Sequence, residues 1–152
     1  MENVAFSDLV RDIIHTSGKL AAQFGYEYVD SEHLLLAIID ESLKDPKAGG
    51  VVLKTFKQLG IDIFQLIESI ETTFDPNQTS IIIEKIPLTH KAEFMLKMSV
   101  LEARSLQKFH IIEAEHILLS YLKVGSDFSK NELTGKFNLT YDRVKDFIIK
   151  LD

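Results

Sequence analysis

The second half of this chain repeats the first, and a folded unit that occurs twice limits the available architectures more than any other property of the sequence. Ser7 aligns with Thr89, Ile13 with Met95 and Ala21 with Ala103, all at a spacing of 82 residues. The run Glu32-His33-Leu34-Leu35-Leu36 aligns with Glu115-His116-Ile117-Leu118-Leu119 at a spacing of 83. Leu59-Gly60-Ile61-Asp62 aligns with Phe137-Asn138-Leu139-Thr140 at 78. Both changes of spacing fall where the composition reads as loop: an extra residue near Gln107-Lys108, and a deletion in place of Ser42 to Gly50, which holds Pro46 and two glycines.

Each copy reads as helices. Val10, Ile13, Ile14, Ser17, Leu20, Ala21 and Phe24 recur at spacings of three and four, which predicts a helix from Asp8 to Phe24 with Ser7 as its N-cap and Gly25 at its stop. A second helix, starting near Asp30-Ser31 and running through Ile39, is apolar on nearly every side and is predicted to be the most buried element. A third uses Val52, Phe56 and Leu59; a fourth, capped by Asp62, uses Phe64 or Ile63 with Leu66, Ile67, Ile70 and Phe74. After a polar linker and a short Ile81-Ile82-Ile83 run that reads as extended, the order recurs: a long helix from Thr89, a short buried one through Tyr121 and Leu122, a weak one at Leu133 and Phe137, and an amphipathic one through Leu151. The expected fold is all-α: two tandem four-helix repeats packed with pseudo-twofold symmetry, in one domain over residues 1–152. Repeat one spans 4–74, the linker 75–88 and repeat two 89–152, with Leu35, Leu36, Leu118 and Leu119 buried.

Composition narrows the function. There is no cysteine, so disulfides and thiolate metal sites are out, and a reducing compartment suits the chain. The start Met1-Glu2-Asn3-Val4-Ala5-Phe6 lacks a basic stretch and a long apolar run and does not read as a signal peptide, which predicts a cytoplasmic protein; no window approaches the roughly 20 apolar residues of a membrane span. Residues 1–80 sum to −7 and residues 81–152 to +1, a field that disfavours nucleic acid and suits a cationic ligand or simple solubility. No phosphate-binding loop occurs, since Thr134-Gly135-Lys136-Phe137 lacks both the first glycine and the hydroxyl after lysine. No serine, histidine and aspartate stand in a nucleophile context, so neither an ATPase nor a hydrolase is expected, and no cofactor. His33 and His116 read as core or helix-packing residues, because a Glu-His neighbour pair on a helix points to different sides and zinc needs three or four converging ligands.

Glu32 and Glu115 are the residues that stand out. Each falls in the first turn of a short apolar helix, where the macrodipole favours a carboxylate by about 0.3–1 kcal/mol. That leaves two readings, stabilisation of the helix start or a cation site. The apolar stripes leave a similar choice between core and an exposed groove for an unfolded segment.

With its Ser31-Glu32-His33-Leu34-Leu35-Leu36 and Glu113-Ala114-Glu115-His116-Ile117-Leu118-Leu119 motifs, its hydroxyl before the first helix of each copy and its closing Leu59-Gly60-Ile61-Asp62, the chain resembles the N-terminal domain of Clp (Hsp100) unfoldases, ClpC-like, over residues 4–152. The resemblance implies a non-catalytic domain that recognises protein substrates or adaptors, attached to the ATPase domains of a Clp hexamer that delivers proteins to the ClpP protease. The alternative it leaves is a free-standing accessory subunit docking on the protease core. It also implies two phosphoarginine pockets, Ser7 with Glu32 and Thr89 with Glu115, where the carboxylate takes the guanidinium and the hydroxyl the phosphate. Leu9 stands where the family usually has a basic residue; Lys91 keeps it in the second copy, and Ala114 replaces the usual threonine.

Overall fold

The computed structural model describes residues 4–82 and 85–151. Helix α1 (Asp8–Gln23) starts where the Ser7 hydroxyl accepts from the Val10 N–H at 3.2 Å, and it buries Val10, Ile13, Ser17, Leu20 and Ala21 on one face. Gly25, at φ +81°, ends it in a conformation that a side chain disfavours. Helix α2 (Ser31–Lys44) runs longer than its apolar pattern suggests. Ser42, expected in the following loop, is instead a fully buried helical residue, because the chain returns so closely that a Cβ on Gly49 would lie 2.5 Å from the Ser42 Cα. The loop shrinks to residues 45–49. Helices α3 (Gly50–Gln58) and α4 (Ile63–Glu71) follow; Phe64 is 78% exposed, so the core face of α4 is Ile63, Leu66, Ile67 and Ile70.

The second half is built the same way. Helix α5 (His90–Ser105) begins with the Thr89 hydroxyl accepting from the Ala92 N–H at 3.1 Å. Helix α6 (Ala114–Val124) is the short buried element. The weak segment is irregular, a π-helical turn (Ser129–Leu133) running into α7 (Thr134–Phe137), and α8 (Tyr141–Leu151) closes the chain. The aligned Gly60 and Asn138 both adopt left-handed backbone, at φ +70° and +51°, and glycine and asparagine are the two residues that do so most readily after a helix. Two residues on, Asp62 and Thr140 cap α4 and α8.

The halves are joined by an exchange of short extended segments. Strand β1 (Ala5–Phe6), before α1, pairs in parallel with β2 (Ile111–Ile112), before α6. Leu88, before α5, bridges Val29, before α2. The hydrogen bonds match across the exchange: Ser7 N–H donates to the Ile112 carbonyl at 3.0 Å, and Thr89 N–H to the Val29 carbonyl at 2.9 Å. Since Thr89 is the counterpart of Ser7, and Ile112 of Val29, each half donates to the other what it accepts from it, which is what an approximate twofold requires. Of the extended run predicted at Ile81-Ile82-Ile83, the two described residues take no part in a sheet: Ile81 N–H binds the Ala22 carbonyl and Ile82 is fully exposed, while Ile83 lies outside the described residues.

Helices α2 and α6 lie against each other at the centre, flanked by α1 and α5. Leu34 to Ile39 and Ile117 to Leu119 are at most 2% exposed, Leu35, Leu36, Leu118 and Leu119 among them. At about 1.5–3 kcal/mol for each fully buried aliphatic side chain, this central pair is the main source of stability.

Candidate functional site

Two helix starts, those of α2 and α6, carry the residues picked out by the repeat, and they share one capping device. His33 is the third residue of α2, and its Nδ1 accepts the N–H of the N-cap Asp30 at 2.9 Å; His116 does the same for Glu113 at 2.9 Å. An accepting Nδ1 puts the proton on Nε2 and requires a neutral ring. Burial holds both rings in that state, lowering each pKa to about 4; for His33 the Asp30 charge works weakly against burial, and for His116 the Lys108 charge adds to it.

At the start of α2, the Glu32 carboxylate is held from three sides. Its Oε2 accepts from the hydroxyls of Tyr121 at 2.8 Å, Ser126 at 3.0 Å and Ser31 at 3.0 Å. Tyr121 is fully buried, and burial, reinforced by the Glu32 charge, pushes its phenol ionisation well above the ordinary range, so it stays a donor. Ser126 is fixed in turn by Ser129, whose hydroxyl accepts the Ser126 N–H at 2.7 Å. Glu32 belongs to the first half and Tyr121 and Ser126 to the second, so this contact fastens one half to the other. His33 lies beneath, stacked on Phe74 with centroids 4.5 Å apart and edge-on to Tyr26.

The start of α6 has other surroundings. Glu113 and Glu115 line a cavity of about 490 Å³ whose walls include Val51, Phe109, Ile111, Ile148 and Leu151. Phe109, Ile111 and Leu151 are 44%, 50% and 43% exposed, an open apolar surface beside two carboxylates.

The strand exchange also redistributes the sequence-derived residues. Within the first half the end of α1 meets the start of α2, with Phe24 and His33 both packed on Phe74 at centroid distances of 4.6 and 4.5 Å, so the two helices run antiparallel and Ser7 and Glu32 lie at opposite ends of a helix pair about 24 Å long. The expected pairings of Ser7 with Glu32 and of Thr89 with Glu115 are therefore corrected. Ser7 lies at the start of α6, the end that carries Glu115, and Thr89 at the start of α2, where its hydroxyl donates to Asp30 Oδ1 at 3.2 Å. Sequence reasoning placed Asp30, Glu113 and Tyr121 on their helices but not in the site; the signal of the first two is a carboxylate three residues before a histidine, and that of Tyr121 a phenol within a buried helix. Ser126 gave no signal. Among the described residues no three His, Cys, Asp or Glu side chains converge as a metal site, and no helix is long and apolar enough to cross a membrane.

Fold and sequence lead to one family. The Clp repeat (R) N-terminal domain matches residues 5–135, and the chain belongs to that family. It is 29% identical over 120 residues to the chloroplastic chaperone protein ClpC2 of Arabidopsis thaliana, covering 79% of this chain and 12% of that protein. The chain thus spans about an eighth of the length of such relatives. Among solved structures, the Hsp104 N-terminal domain from Candida albicans superposes with a TM-score of 0.71 at 18% identity, covering 99% of this chain and 91% of that one. The ClpV N-domain in complex with a VipB peptide gives 0.61 at 16% identity, covering 96% of each chain.

Proposed function

We propose that this domain captures protein substrates or adaptors for a Clp-type ATPase in the cytoplasm, which unfolds them for the ClpP protease, and that the domain works by recognition, without catalysis. Its family membership and the peptide held by the related ClpV N-domain support the reading. The recognised group is the side chain of arginine, phosphorylated on its guanidinium. Four residues serve it: Glu115 with Ser7 at the start of α6, and Glu32 with Thr89 at the start of α2. The carboxylate binds the guanidinium through charge-assisted hydrogen bonds, and the adjacent helix starts, α1 beside α6 and α5 beside α2, offer N–H groups to the phosphate.

The observation that carries the proposal is that strand pairing sets a capped helix N-terminus beside a first-turn glutamate at both ends of the exchange. The α6 end, whose glutamate lines an open cavity, is the stronger site. A bidentate grip needs both carboxylate oxygens, and Oε2 of Glu32 is already engaged by three hydroxyls. Calorimetric titration with free phosphoarginine tests the reading. Glu115→Gln is expected to weaken binding roughly tenfold to a hundredfold, the worth of a charge-assisted hydrogen bond of about 1.5–3 kcal/mol. Glu32→Gln is expected to weaken it less. Equal affinity in wild type, both single variants and the double variant would leave the carboxylates as helix-start residues.

A further inference from the structure

All three hydroxyls on Glu32 converge on a single carboxylate oxygen: Tyr121, Ser126 and Ser31 each donate to Oε2 and none of them to Oε1. An oxygen that already accepts three hydrogen bonds has no lone pair left for a guanidinium N–H, so Glu32 offers a ligand Oε1 alone. A guanidinium fork needs both oxygens, one for each of its two parallel bonds. Two of the three donors come from the other half, and they are not part of what the repeat preserves. At the spacing of 83 that relates Glu115 to Glu32, Tyr121 aligns with Ile38, an aliphatic side chain with no hydrogen to donate. Ser126 lies beyond the end of α6, where the deletion replaces Ser42 to Gly50. The phenol on Glu32 is therefore a feature of the α2 end alone. Its release leaves no buried group stranded, because the Tyr121 and Ser126 hydroxyls stand 3.4 Å apart and can bond to each other.

We infer that Tyr121 and Ser126 regulate the α2 site: their hydroxyls compete with the ligand for Glu32 and hold the site in a low-affinity state, which opens when the pair bonds to itself and frees Oε2. This rests on the function proposed above and adds the control of one of its two sites. The domain then binds one phosphorylated arginine at α6 and a second, at α2, only at higher concentration. A fastening with a structural role alone would lose stability when cut and gain no affinity, since Glu32 would be held less firmly. A competing clasp loses stability and gains affinity, and the opposite signs separate the two roles.

The test is calorimetric titration with free phosphoarginine in the Glu115→Gln background, which leaves the α2 site as the intact one. Tyr121→Phe keeps the ring and removes its donor, Ser126→Ala removes the other donor, and circular dichroism checks that each variant is folded. Either change, added to Glu115→Gln, is expected to tighten binding roughly tenfold, the worth of restoring one charge-assisted hydrogen bond to the guanidinium. Glu32→Gln, added to either pair, is expected to abolish the gain. Affinity that is unchanged or weaker in both folded variants, with wild type still binding phosphoarginine, overturns this inference and leaves the proposed function standing. A gain that survives Glu32→Gln overturns it as well, since the freed oxygen is then not its source. Failure of wild type and of every variant to bind overturns the inference together with the reading it rests on.

Discussion

The starts of α2 and α6 have the same backbone and opposite surroundings. Both place an acidic N-cap before a histidine that returns a hydrogen bond to the N-cap N–H, and both carry a glutamate as second helical residue. Around α2 the neighbours are hydroxyls and aromatic rings, and Glu32 becomes a fastening between halves. Around α6 they are the open walls of a cavity, and Glu115 faces a space that a ligand can enter. Repetition has thus preserved what the backbone needs, a satisfied helix start, and left the rest of each site free to diverge.

The largest expected effect strikes both sites alike. His33 and His116 have folded pKa values of about 4, below the 6.5 of an unfolded chain, so between these values the unfolded state binds more protons. Their contribution is fully present above pH 6.5 and is lost as pH falls from 6.5 to 4, at roughly 3 kcal/mol for each ring. Urea unfolding across this range is expected to show the loss, and His33→Gln and His116→Gln should each flatten the dependence by a similar amount. A flattening in one variant only would show that the shared capping device is not shared in energy.

Next in size is Tyr121→Phe, which removes one donor from the Glu32 carboxylate and is expected to cost about 1–3 kcal/mol in the same assay. Removal of the N-cap hydroxyls comes third. Ser7→Ala should cost about 1 kcal/mol, and Thr89→Ala more, because Thr89 also donates to Asp30. Smallest is Glu115→Gln, expected to cost about 0.3–1 kcal/mol of stability, the share of a first-turn carboxylate in the helix dipole, while it weakens phosphoarginine binding. A large stability loss there would erase the contrast between the two sites and return Glu115 to a structural role.

The helices were legible in the sequence because their signals are local. Apolar spacing, caps and stops lie within a few residues of one another, and Ser7, Thr89, Asp62 and the Gly60–Asn138 pair act as their types suggest. The repeat alignment picked out Glu32 and Glu115 for the same reason. What it could not give was which hydroxyl meets which carboxylate, since pairing within a copy is the simpler assumption and the segment exchange of Phe6 with Ile112 and Val29 with Leu88 is a long-range event. Ser126 was invisible on similar grounds: its importance comes from lying beside Tyr121 and Glu32, which no spacing of its own encodes. The helical state of Ser42 turned on the close return of Gly49.

The same segment exchange orders events during synthesis. Ala5 and Phe6 leave the ribosome well before their partners Ile111 and Ile112, which emerge only after helices α1 to α5 have been made, and Val29 waits in the same way for Leu88. Helices α1 to α4 can form early from local contacts, but they hold the apolar face of α2 without its cover until α6 arrives. Completion of the domain is therefore a late, nearly all-at-once step, and a nascent chain stalled before residue 111 would offer its apolar core to chaperones in place of a finished half.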